Sequence, residues 1–189
     1  MIVSRELVYS NDLCSAFLTA IVKAFEAYHP TAFLGRTAMQ KLTYFVKVVG
    51  APVPCSFGIY TYGPYSDTVT FAVESLLADE VIVDTSPNPK YSNYRLWQNA
   101  DELLSGFADE LRPYEGMIAQ TVKALGSFAP DELELIATLH FIARRQFQTS
   151  GKLSKDSVFC EFKSIKHDKF PDQEISRWYH ALVEAGLIL

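Results

Sequence analysis

The chain has 189 residues, 49% of them hydrophobic and 21% charged, a profile that fits a folded globular protein and excludes a disordered one. Its net charge of −5 is uneven: residues 1–143 carry 9 Lys/Arg against 16 Asp/Glu (−7), and residues 144–169 carry 7 against 3 (+4). An acidic body with one basic segment excludes a general nucleic-acid coat and leaves room for one local basic face.

The length suits one ordinary domain or two small helical modules sharing a core. The N-terminal stretch has short apolar runs interrupted by Asn11, Asp12 and Lys23. Neither a signal-peptide core nor a membrane span is therefore expected. Three cysteines far apart, Cys14, Cys55 and Cys160, read as reduced thiols in a cytoplasm.

Asn11 or Asp12 caps a first helix that runs to about Tyr28, where His29-Pro30 ends it. A second helix starts at Thr37, with Gln40 three residues on completing a capping box, and runs to Gly50. The aromatic stretch SFGIYTY reads as one short strand that puts Tyr60 and Tyr62 on the same face, broken by Gly63-Pro64. Ser66 caps a third helix ending near Asp79, and Asp67 complements its positive end. EVIVD and YSNYRLW then form a hairpin around TSPNPK. Helix, short strand, helix and hairpin is the order of a winged helix over roughly residues 34–98.

The second half reads as helical. One long amphipathic stretch covers about Asp101–Leu125, Pro130 sits in the first turn of the next helix, Ser154 or Asp156 opens another, and Pro171 opens the last. Residues 69–83 align without gaps on residues 175–189, with Leu76 on Leu182, Val81 on Leu187 and Ile82 on Ile188. This internal echo reads as a second winged-helix-like unit, with chance likeness between amphipathic helices as the alternative. The expected fold is mainly α (α+β), with winged-helix-like units and a small hairpin wing. Its two parts span residues 1–126 and 127–189 and share one core.

Motifs for phosphate-loop, dinucleotide, zinc-protease or serine-hydrolase chemistry are absent from the sequence. The four histidines lie far from the cysteines without metal-ligand spacing, so no metal and no cofactor is expected. His140, on an apolar helix, reads as a core histidine. Cys55 between prolines reads as a reactive thiol or, more simply, a small hydrophobe. Glu132 and Glu134, two apart, face opposite sides of a helix and form no acid/base dyad. The third helix has Asp67, Glu74 and Asp79 and no Lys or Arg, which makes it a poor DNA reader. Arg144, Arg145, Lys155, Lys163, Lys166 and Lys169 are the DNA-binding candidates, weighed against a solvated charged face. Tyr60, Tyr62 and Tyr65, with Arg36 and Lys41, are the protein-binding candidates, because Tyr and Arg are enriched at contact hot spots. Packing of the tyrosines on the second helix is the structural alternative.

GRTAMQKLTYFVKVVG followed by FGIYTYGPYSDTVTFAVESLLADEVIV resembles the Panacea and YwgA-like families of bacteria and phages. The residues that carry the likeness are Gly35, Arg36, Thr37, Met39, Gln40, Lys41, Leu42, Tyr44 and Phe45, then Tyr62, Gly63, Pro64, Tyr65 and Ser66. The resemblance implies an antitoxin or adaptor that acts by protein contact, with a toxin or a protease complex as partner, and it brings no catalytic residues. The reading is thus a non-enzymatic, cytoplasmic protein-binding module with no membrane partner. A homodimer is left open. The alternative is a winged-helix transcriptional regulator that binds DNA through residues 144–169.

Overall fold

The computed structural model describes residues 6–188 and is mainly helical, with two small antiparallel hairpins. The last aligned position of the internal echo, Leu189, and the first five residues of the N-terminal reading lie outside the described residues. Two compact units divide the chain. One takes the residues up to Phe57 together with Ser66–Phe128, and the other takes Gly58–Tyr65 with Ala129–Leu189. Among the described residues, no helix is long and apolar enough to cross a membrane.

The first unit is built around α1 (Leu13–Tyr28), capped by Asp12, whose carboxylate accepts from Ser15 N at 3.0 Å. Phe17, Leu18, Ile21, Val22 and Phe25 are fully buried along it, and α2 (Arg36–Val48) and α3 (Asp67–Ala78) pack against it. β3 (Ile82–Asp84) pairs with β4 (Tyr94–Leu96), Ile82 opposite Leu96. The helical stretch expected over 101–125 is broken into α4 (Ala100–Gly106), α5 (Ala108–Leu111), a 3₁₀ turn (Arg112–Tyr114) and α6 (Glu115–Leu125). Pro113 sits in that turn, where it has no N–H to carry an α-helical ladder.

Two capping expectations fail in an instructive way. Gly35, not Thr37, precedes α2, and Ser66 makes no cap hydrogen bond to α3. Gln40 is used elsewhere. Its Oε1 accepts from Ser66 N at 3.0 Å, and its Nε2 donates to Ser66 O at 3.0 Å and to Thr70 Oγ1 at 3.1 Å. One buried amide thereby satisfies both backbone groups of Ser66 and stands in for a cap. Gln40→Ala strands those groups out of water and is expected to cost about 1–3 kcal/mol, read by urea unfolding; Gln40→Ala as stable as the wild type would show that water replaces the amide.

The internal echo reappears as backbone geometry. Val81 N donates to Leu76 O and Leu187 N to Leu182 O, both at 2.9 Å. The residues before them, Glu80 (φ 55) and Gly186 (φ 67), are both left-handed. Each helix thus ends in a Schellman turn. Glu80 holds that conformation without being glycine, a mild strain.

The second unit centres on α7 (Pro130–Ser150), which packs against α8 (Lys155–Lys166), α9 (Asp172–Glu184) and strand β2. β1 (Gly58–Tyr60) and β2 (Gly63–Tyr65) pair with Ile59 opposite Pro64. The expected single strand is therefore a hairpin, with Thr61 and Tyr62 at its turn and Gly63 at φ 85 just after it.

Candidate functional site

Two places in the molecule gather chemistry. In the first unit, α1 turns Ala20, Ala24 and Ala27 outward toward α4, α5 and α6, where Ala108 and Ala119 face them across a cleft of about 430 Å³. Methyl groups where larger side chains would meet leave the space unfilled. Lys23, Tyr28, Asp101, Ser105 and Glu115 supply its polar groups. Asp101 and Glu115 lie in the first turns of α4 and α6, where helix dipoles favour carboxylates. Lys123 stands over the Tyr28 ring at 5.6 Å. A concave, largely apolar cavity of this size with a few polar groups has the form of a small-molecule site.

In the second unit, Glu134 and Lys166 form an ion pair at 2.8 Å, with side chains only 2% and 1% exposed. Lys169 approaches both Glu134 oxygens at 3.0 Å and Asp131 at 2.9 Å. Lys166 also donates to Thr61 O at 2.5 Å, and Lys169 lies over the Tyr62 ring at 5.7 Å. The cluster therefore pins the β1–β2 turn onto the helices of this unit. Burial pushes the Lys166 ammonium below the ordinary lysine range, against the opposing pull of Glu134. For Lys169 burial also disfavours the charge, but its bonds to Asp131 and Glu134 prevail and hold it above that range.

This geometry corrects the proposed basic face. Lys166 is buried, Lys169 is paired with Asp131 and Glu134, Lys163 meets Asp172 at 2.7 Å, and Arg145 pairs with Glu161. Lys155 donates toward Ser176 Oγ at 3.2 Å and sits 2.9 Å from His180 Nε2. Arg144 is exposed on α7 beside the buried His140. Carboxylates that neutralise most of these cations leave little bare charge for phosphates.

The protein-contact set is also divided. Lys41 is buried and cannot reach a partner, while Arg36 is exposed and donates to Ser92 Oγ at 3.0 Å. Both belong to the first unit and the three tyrosines to the second. Tyr60 and Tyr62 are exposed, and Tyr60 stacks edge-on against the half-buried Tyr65 at 5.2 Å. Burial lifts the Cys55 thiol to about 11 and the Cys14 thiol to about 12, so neither is a nucleophile at neutral pH. Among the described residues, no group of three or more His, Cys, Asp or Glu could hold a metal ion.

No family model matches the chain. Over 129 residues, 67% of its length, the chain is 29% identical to a DNA ADP-ribosyl glycohydrolase of Thermus aquaticus. The matched stretch is 36% of that enzyme, so the chain spans about a third of its relative. This likeness overturns the expectation of a non-enzymatic antitoxin-like or adaptor module, and with it the alternative of a transcriptional regulator, because the matched protein is an enzyme. The alanine-floored cleft was missed in the sequence because its walls come from a stretch read as one continuous helix.

Proposed function

We propose that the chain takes part in the hydrolytic removal of ADP-ribose from DNA and that the cleft of the first unit receives the ADP-ribosyl group. The observation that carries this reading is the match to an enzyme of that name over two thirds of the chain. The cleft supports it chemically. Tyr28 offers a ring on which an adenine stacks, and Lys23 offers a cation for the diphosphate. Asp101 and Glu115 are carboxylates of the kind glycosidic hydrolysis uses, one to take a proton from the attacking water and one to return a proton to the leaving group. The proposal places the chain in the cytoplasm, where its thiols stay reduced. Kinship with the Panacea and YwgA-like families belongs to the same proposal, as does a partner protein meeting Tyr60 and Tyr62.

The test is a single-stranded oligonucleotide carrying ADP-ribose, incubated with the purified chain while released ADP-ribose and strand affinity are followed. Release, or saturable binding that exceeds that of the unmodified strand, is expected. Glu115→Gln and Asp101→Asn should lower release by about 100-fold or more if they transfer protons, and Tyr28→Ala should weaken binding. Neither release nor preferential binding by the wild type would end the proposal.

A further inference from the structure

The loop between α1 and α2 runs alongside β4. Tyr94 N donates to Leu34 O at 3.0 Å, Leu34 N donates to Asn93 Oδ1 at 3.1 Å, and Arg95 reaches Ala32 O at 2.7 Å. The Arg36 bond to Ser92 extends this lacing by one more residue, and Gly35 fits where a Cβ would meet Ser92 O at 3.3 Å. The hairpin loop is held as firmly: Asp84 accepts from Asn93 N at 2.8 Å and from Ser86 N at 3.0 Å, and Thr85 N donates to Asn93 O at 2.9 Å. Residues 30–36 and 85–98 are thus two ordered segments fixed side by side.

Three large rings on these segments face solvent: Phe33 at 66%, Tyr91 at 68% and Trp97 at 50% exposure. The same segments carry Arg36, Lys90 and Arg95 and no carboxylate, in a part of the chain that is otherwise acidic. Asp84 borders them, but its charge is engaged by backbone donors and by nearby Arg36. Cations interleaved with exposed rings on a rigid support are what binds a single strand: the bases stack on the rings and the phosphates meet the cations.

We infer that this face binds single-stranded DNA, with Phe33, Tyr91 and Trp97 stacking bases and Arg36, Lys90 and Arg95 meeting phosphates. The inference rests on the reading that the chain handles ADP-ribosylated DNA, and it assigns the unmodified part of that strand to the hairpin. Duplex DNA, whose bases are already stacked, is bound more weakly.

The full chain is titrated into a fluorescein-labelled 15-mer of thymidine, unmodified or carrying ADP-ribose, with anisotropy as the readout. Three phosphate contacts imply a slope of log affinity against log salt of about −2. Tyr91→Ala and Trp97→Ala should each weaken binding of both strands by about tenfold, with unfolding midpoints unchanged because the rings are exposed. Aromatic variants that bind like the wild type, or a wild type with no affinity for the unmodified strand, would overturn the inference. Release of ADP-ribose without affinity for the unmodified strand removes the hairpin assignment and keeps the cleft. Binding of the unmodified strand with no preference for the modified one keeps the hairpin and removes the cleft.

Discussion

Glu134→Leu lowers the unfolding free energy by about 3–5 kcal/mol, the largest effect expected of any single substitution in the chain. The carboxylate is buried and is the one acidic group printed within 3 Å of the buried Lys166 ammonium. Without it, Lys166 keeps only the Thr61 carbonyl, while Lys169 still has Asp131 near the surface. An uncompensated buried charge costs far more than the pair contributes, because two ions withdrawn from water lose in desolvation much of what they gain from each other. Removing both partners should therefore restore what removing one takes away. The double variant Glu134→Leu, Lys166→Met is expected to regain most of the loss, and chemical denaturation of the single and double variants measures it. A double variant no more stable than Glu134→Leu would mean that the pair, and not the stranded charge, holds the unit together. The exposed pairs Lys163–Asp172 and Arg177–Glu132 should each matter little when broken, since screened surface ion pairs contribute about 0–1 kcal/mol.

Much of this architecture was legible in the residues, and the exceptions have a common cause. Helix starts and stops with local chemistry were readable: Asp12 before α1, Pro130 in the first turn of α7 and Ser154 before α8 all act through neighbours three or four residues away. The failures came where a side chain serves something distant. Gln40 has capping-box spacing but reaches Ser66, 26 residues on. Lys166 looked like one of a basic row, because it lies three residues from Lys163. Yet it also continues Val158 and Phe162 at intervals of four, and that stripe is the buried one. The same periodicity that marks a core helix thus contained the signal that this lysine is inside. Its partner had a signal too, since Glu134 interrupts an apolar run from Leu133 to Leu139. The cleft was less accessible to sequence reading. It depends on a helix break near Pro113 and on alanines at facing positions of separate helices, and periodicity within one segment does not report either.

Acidification from pH 6.5 to pH 4 destabilises the protein through His140, by about 3 kcal/mol at the end of that window. His140 is buried on α7, and burial, reinforced by the charge of Arg144, lowers its pKa to about 4 despite a hydrogen bond with the Leu187 backbone that pulls the other way. The unfolded chain titrates it near 6.5. Above that value both states are neutral and the ring contributes no pH dependence. Between the two values the unfolded state holds the proton and the folded state does not, so each step toward acid favours unfolding. By pH 5, above the range where ordinary carboxylates begin to titrate, about 2 kcal/mol is already lost. Below about 4 the folded ring is protonated as well and the loss levels off. His29, His167 and His180 are common to both proteins if the comparison is made with His140→Gln, so the difference between the two stability curves isolates the buried ring. That difference should be constant above pH 7 and should change by about 2 kcal/mol in favour of the variant on going to pH 5. Parallel curves across the whole range would mean that His140 takes up its proton without leaving the core, through water or a movement of Arg144 that the burial of the ring argues against.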